Sequence, residues 1–380
     1  MDHQAPKRAS FGDVQRFHRP TAARLRWVGS RALGRRLLVV GLVVAPLVAG
    51  DLAVRMLIAT HRLPVGAAQG PAVEVAWTNY ERTGPADILI LGDSLARMGI
   101  HPATLATLTG NSLGRPVTAY NLSTPGAGFH VYRAFIEELD HEDLLPNVVV
   151  IGISTVGLYR TTARPGRLLR SPFGRFVSDC RGVRGLEETL SCHLESISPL
   201  WRWRGQPGRL LEALDDPVPR TSRANGITLE ADGYGRGRSI PPAGFDKALA
   251  VALKNTPPLA SAQPDIGAYV ALVEALRSSG TRVVVVLIPY APPFEDALEA
   301  REPGWQALRS SLLEQLSESA GQPILDSGPV ATWWTVQDSH DVRHFSPRGG
   351  KRFTAHLWNN ATFRTLVTEA LGAAPSTASP

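Results

Sequence analysis

Three short stretches of the chain carry side chains that could do chemistry together. Gly92-Asp93-Ser94 places a hydroxyl directly after a short apolar run. Asp341 and His344 stand three residues apart near the other end. Between them lies Asn121-Leu-Ser123-Thr-Pro-Gly126-Ala-Gly128. A serine hydroxyl is a poor nucleophile at neutral pH. It needs a base within hydrogen-bond reach, and the base needs an orienting carboxylate. With Ser94 as nucleophile, His344 as base and Asp341 as its orienter, the chemistry is acyl transfer through an acyl-enzyme. Each piece alone has a structural explanation. Gly-Asp-Ser opens turns and helices, Asp-x-x-His is a common surface turn, Asn121 can cap a turn, and the Gly126/Gly128 pair can allow tight packing. The combination favours catalysis. Asp338 and His340 could stand in for the assigned pair, but Ser346 as N-cap and Pro347 as first helical residue follow His344 immediately and favour it.

The elements that must position these residues alternate regularly. Residues 87–91 (DILIL), 117–122, 147–153 (NVVVIGI), 281–288 (TRVVVVLI) and 323–326 read as strands. Residues 102–108, 129–140, 265–279, 305–320 and 347–371 read as helices. Strands that alternate with helices and run continuously apolar predict a parallel sheet covered on both faces. Ligands of such sheets bind beyond the carboxyl ends of the strands, where all three stretches fall. Residues 155–263 break the pattern, with short helix candidates such as 186–194 and 208–214 that lack a long period. They are too long for an ordinary loop and read as an inserted cap. The catalytic domain then covers 87–372, behind a connector at 61–86 with a short helix around 73–82. The Ala/Ser/Pro-rich residues 373–380 read as a disordered tail.

Residues 1–36 hold nine Lys/Arg against Asp2 and Asp13, a net of +7, whereas the whole chain carries +6. The body is therefore nearly neutral, and a nucleic-acid partner is not expected. The uncharged run at 37–50 follows at once. Extended to residue 60, with Asp51 and Arg55 paired four apart near the outer interface, it reads as a transmembrane signal anchor. A cleaved signal peptide and a buried core helix are the alternatives, and Arg35-Arg36 faintly resembles a twin-arginine export signal. With the anchor, residues 1–36 are a cytoplasmic tail and everything after about residue 60 lies outside the cytoplasm. There Cys180 and Cys192 are a candidate disulfide, with two unrelated thiols as the bland reading. No metal site and no cofactor are indicated.

Gly92-Asp93-Ser94 and Asp341-x-x-His344 resemble the first and last sequence blocks of the SGNH/GDSL hydrolase superfamily, over residues 87–153 and 265–358. The resemblance implies a flavodoxin-like three-layer α/β/α fold with a five-stranded parallel sheet, here carrying the long insertion and preceded by one N-terminal transmembrane helix. It implies a Ser94, His344, Asp341 triad, with Asp93 and Asn121 in support. It implies an oxyanion hole from the Ser94 amide, an amide of the second block (Ser123 or Gly126) and a side chain of the third. Two positions depart from the pattern. Ser123 stands where the second block has glycine, and Gly152-Ile153-Ser154 replaces Gly-x-Asn. Loss of one oxyanion donor costs about 100- to 1000-fold in rate. The anchor resembles that of a membrane-bound subset that works with membrane-bound O-acyltransferases on envelope polymers. This implies serine-dependent acyl transfer or ester hydrolysis on an acylated glycan or envelope polymer at the cell membrane. The alternative is a catalytically weakened scaffold that binds a glycan or an acyltransferase partner.

Overall fold

The computed structural model describes residues 30–60, 71–155, 190, 193–194, 197–204, 222–224, 227–328 and 330–372. The candidate disulfide Cys180–Cys192, the expected helix at 208–214, most of that at 186–194 and the tail 373–380 lie outside the described residues. The helices are α1 (Ser30–Ala59), α2 (Pro71–Thr83), α3 (Ser94–Gly99), α4 (Pro102–Leu113), α5 (Phe129–His141), α6 (Pro199–Trp203), α7 (Pro242–Asn255), α8 (Ile266–Ser278), α9 (Pro292–Arg301), α10 (Trp305–Ala320), α11 (Pro347–Asn359) and α12 (Ala361–Gly372). The strands are β1 (Ile88–Gly92), β2 (Ala119–Asn121), β3 (Val148–Ile153), β4 (Ser222–Ala224), β5 (Ile227–Leu229), β6 (Gly235–Gly237), β7 (Arg282–Leu287) and β8 (Ile324–Asp326).

Every position of β1 (ILILG) and β3 (VVVIGI) is buried, so both faces of the sheet centre are covered. Burying each of these aliphatic side chains stabilises by about 1.5–3 kcal/mol, which is why unalternating apolar runs end up here. The five strands run in the order β2-β1-β3-β7-β8, all parallel. Helices α5, α8 and α10 pack together, as do α3, α4, α11 and α12, and these two groups flank the sheet. The strand order reverses between β1 and β3, which opens the crevice used by doubly wound folds at their carboxyl edge.

Several elements differ from expectation. The connector at 61–86 contributes to the core: Val75, Ala76, Trp77 and Tyr80 of α2 are almost fully buried. The long C-terminal helix is two helices. Asn360 leaves the helical region at ψ 114°, and its side chain accepts from the Phe363 amide at 3.1 Å, ending α11 and opening α12. Helix α9, with two prolines at its start, has no counterpart among the expected elements. The insertion carries an antiparallel sheet in the order β4-β5-β6, and α7.

The chain divides into units Met1–Ala49 and Gly50–Pro380. Among the described residues no helix is long and apolar enough to cross a membrane. The expected span at 37–60 is only partly covered by described side chains. From Leu42 to Met56 on α1, Leu42, Val43, Val44, Leu47, Val48, Leu52 and Met56 are all exposed.

Two glycines fix the carboxyl edge. Gly92 and Gly152 are register partners on β1 and β3, and Ala96 of α3 packs over both. A Cβ on Gly92 would lie 2.4 Å from the Ala96 Cβ and 2.7 Å from the Gly152 carbonyl oxygen; one on Gly152 would lie 2.6 Å from the same Ala96 Cβ. Substituting Gly152→Val should therefore force α3 away from the sheet and cost about 1–3 kcal/mol by overpacking. Chemical denaturation of the variant checks this, and an unchanged midpoint would contradict the close packing.

Candidate active site

Ser94 is the first residue of α3, immediately beyond β1. Asp93 is the N-cap, and its carboxylate accepts from the Leu95 amide at 2.8 Å. As the first helical residue, Ser94 has an amide with no acceptor inside its own helix. The second block lies against this turn: the Thr124 amide donates to the Gly92 carbonyl at 2.7 Å.

The base comes from the other end of the chain. His344 Nε2 stands 2.8 Å from Ser94 Oγ, and its Nδ1 stands 2.8 Å from Asp341 Oδ2. The carboxylate is held by its own loop. Asp341 Oδ1 accepts from the amides of Arg343 and His344 at 2.7 and 2.8 Å, an arrangement that short polar side chains make with the backbone just ahead of them. This explains the three-residue spacing. Oδ1 fastens the turn and also lies 3.0 Å from the imidazole Nδ1, while Oδ2 faces the imidazole alone. The loop is closed by an antiparallel bridge between Ser339 and Phe345 and by the His340 amide donating to the His344 carbonyl at 2.8 Å. Ser346 caps α11 with Pro347 in its first turn, and Phe345 stacks on Phe353 at 5.2 Å. The histidine therefore stands on a short loop pinned at both ends.

Burial alone would raise the Asp341 carboxyl. The hydrogen bond and charge of His344, with the two amides, outweigh burial and hold it well below the usual carboxylate range. Asp93 goes the other way. Burial raises it, against donation from the Ser154 hydroxyl and the Leu95 amide and the nearby charge of His344.

The structure brings Ser94, His344 and Asp341 together. It places the remaining candidates differently. Asp338 is wholly buried, caps Thr335 and pairs with Arg352 at 2.7 Å; His340 Nδ1 meets the Arg238 carbonyl. Neither belongs to the triad. Ser154, buried next to the turn, donates its hydroxyl to Asp93 and so is committed to a carboxylate. The Ser123 amide donates to Asn121 Oδ1 at 3.0 Å, while its hydroxyl is buried without a hydrogen-bond partner. Asn121 Nδ2 donates to the Ala96 and Ile100 carbonyls, both at 3.0 Å, so this side chain ties β2 to α3. Gly126 occupies the exposed turn that follows, at φ 71°. Among the described residues no group of three or more His, Cys, Asp or Glu is arranged to hold a metal ion.

Two further contributors escaped the sequence reading. Arg343 gives its amide to Asp341 and its guanidinium to the Ala252 carbonyl and the Thr256 hydroxyl, at 3.1 and 2.7 Å, joining the catalytic loop to the carboxyl end of α7. Strand β6 of the insertion crosses both halves of the site. A Cβ on Gly235 would lie 2.8 Å from Arg97 Cγ on α3, and one on Gly237 would lie 2.5 Å from His340 Nδ1. Next to it, the Tyr234 hydroxyl donates to the Met98 carbonyl at 2.9 Å. The position of Arg343 between Asp341 and His344 was the only available hint, and the glycines gave none.

No protein-family model matches the chain, and no curated protein matches it. Solved structures similar over most of their length include the following three. The psychrotrophic esterase EstA from Pseudoalteromonas sp. is 12% identical, with TM-score 0.32, covering 72% of this chain and 96% of its own. A lipase/acylhydrolase from Enterococcus faecalis is 13% identical, with TM-score 0.32, covering 74% and 96%. A protein assigned as a GDSL-like lipase from Parabacteroides merdae is 14% identical, with TM-score 0.33, covering 76% and 98%. Likeness at this level assigns neither fold nor activity, and both rest on the geometry of the chain itself.

Two outcomes are expected. Ser154→Ala removes a donor from buried Asp93 and should cost about 1–3 kcal/mol, with the Ser94 hydroxyl still reactive. Denaturation alongside fluorophosphonate labelling separates the two effects. The second concerns pH. A carboxyl lowered on folding stabilises fully above its unfolded value, about 3.9, and loses that contribution as pH falls through the lowered one. The stability gap between the native chain and Asp341→Asn should therefore narrow as pH drops below about 4. A gap that stays constant into strong acid would show that the carboxylate is not so held.

Proposed function

We propose that the chain is a serine-dependent acyl-transfer enzyme of SGNH/GDSL type. The observation that carries this is the continuous chain of hydrogen bonds from Ser94 Oγ through the His344 imidazole to Asp341, 2.8 Å at each step. Ser94 attacks the acyl carbonyl as His344 takes its proton at Nε2. His344 then returns that proton to the leaving oxygen. Asp341 holds the tautomer and stabilises the imidazolium. Water or a sugar hydroxyl next attacks the acyl-enzyme, with His344 again as base. With the Ser154 hydroxyl and the Ser123 amide engaged elsewhere, the amides of Ser94 and Gly126 are the remaining donors for the oxyanion.

The sparse oxyanion hole is also what favours the second reading, a weakened scaffold for a glycan or an acyltransferase. Acyl transfer on an envelope glycan or polymer, in concert with a membrane-bound O-acyltransferase, is the reading we prefer. The basic tail at 1–36 and the apolar stretch at 37–60 support a membrane anchor with the catalytic domain outside the cytoplasm. The exposed apolar side chains of α1 support it as well.

Activity-based labelling tests the chemistry. A fluorophosphonate should label the native chain and not Ser94→Ala, and Ser94→Ala should lose at least about 1000-fold in turnover of acyl donors. A native chain that resists labelling and turns over no donor, with or without glycan acceptors, would leave the scaffold reading in its place.

A further inference from the structure

The pair Asp51 and Arg55, one turn apart on α1, does more than neutralise itself. Arg55 Nε donates to Asp51 Oδ2 at 2.8 Å. The other oxygen of Asp51 accepts from the Ser198 hydroxyl at 2.7 Å and from the Leu200 amide at 3.1 Å, at the start of α6. Arg55 Nη2 donates to the Ile197 carbonyl. A Cβ on Gly50 would lie 3.1 Å from the Leu200 side chain, and Val54, one turn on, is buried. The inserted segment is thus fastened to the last turns of α1 by a polar clamp and a small packed face.

Large apolar side chains are exposed around this junction, beside the exposed Arg55 and Arg204. Leu52 and Met56 are 60% and 69% exposed, and Ile197 and Trp201 are 65% and 40% exposed. Leu52 and Met56 are one turn apart on α1, and Ile197 and Trp201 lie on either side of the Ser198 cap of α6. Among the described residues, exposed large apolar side chains fall on α1 and at Leu190, Ile197 and Trp201, with Val251 the exception. Soluble surfaces scatter such residues singly; concentration marks a binding surface. The guanidinium of Arg204 sits 4.7 Å from the centre of the Trp201 ring. A tryptophan beside an arginine suits the layer where lipid head groups meet hydrocarbon.

We propose that the last turns of α1 and the inserted segment 197–203 form a foot that rests on the lipid head-group layer and sets the height of the catalytic site above the membrane. This rests on the anchor reading above. The occupant follows from continuity: Leu52 and Met56 continue the same helix as the apolar stretch at 37–50. A carboxylate so near hydrocarbon is costly unless its oxygens are satisfied. The insertion supplies two of the donors to Asp51, so the foot and the helix make sense together.

The test uses the full chain reconstituted in phosphatidylcholine–phosphatidylglycerol vesicles whose acyl chains carry bromine, a contact quencher of tryptophan. The native chain should lose fluorescence relative to unbrominated vesicles, and Trp201→Phe should lack part of that loss. Ile197→Asp, with Trp201 retained, should reduce the quenching as well, while fluorophosphonate labelling of Ser94 stays unchanged and reports an intact fold. Equal fractional quenching in native and Trp201→Phe chains that remain on the vesicles through an alkaline carbonate wash would overturn the foot and spare the anchor. Release of the native chain by that wash would instead remove the anchor.

Discussion

The site depends on a gap too narrow for a side chain. At the carboxyl edge of the sheet, the last residue of β1 and the next-to-last of β3 are glycines in register, and Ala96 packs against both. This close approach sets the angle at which α3 leaves the sheet, and Ser94 is the first residue of that helix. Asp93 and Ser154 then share a hydrogen bond just beyond the same pair of strand ends. Three of these positions, Gly92, Asp93 and Ser94, are adjacent in sequence because one turn must both allow the approach and present the hydroxyl.

The two halves of the triad are positioned by different physics. Ser94 is placed by packing, through interactions that are dense and short in range. Asp341 and His344 are placed by hydrogen bonds within a loop that is anchored in the core by Val342 and Phe345. A carboxylate already satisfied by two amides has little freedom to leave the imidazole. The carboxylate that fixes the histidine tautomer is thereby itself held by backbone amides.

Much of this was legible in advance. Short apolar runs rich in β-branched residues and alternating with helices read as strands buried on both faces, so the main strands and their parallel arrangement followed from the sequence. Ser346-Pro347 announced the start of α11, and through it the place of His344. The insertion was opaque because strands of three residues, such as Gly235–Gly237, are too short to show a pattern, and the glycines there let other residues approach. Ser154 was read as a shortened stand-in for an amide. Whether a hydroxyl faces a substrate or a buried carboxylate is a question of direction, which residue type alone does not carry. Helix α2 was underrated for a related reason: its aromatics become core only once β2 offers Tyr120, whose hydroxyl reaches the Ala76 carbonyl.

The glycines of β6 have a consequence for how such an enzyme can diversify. A cap that merely hung over the crevice could be exchanged for another, as loops on a rigid scaffold often are. This one lies against α3 at Gly235 and against the His340 turn at Gly237, bridging segments that are otherwise some 250 residues apart in the chain. It acts as a splint across the fracture line between nucleophile and base. Grafting a foreign cap to change substrate would remove the splint along with the old specificity. New substrates are therefore reached more readily by changing single side chains on the inserted sheet than by replacing it.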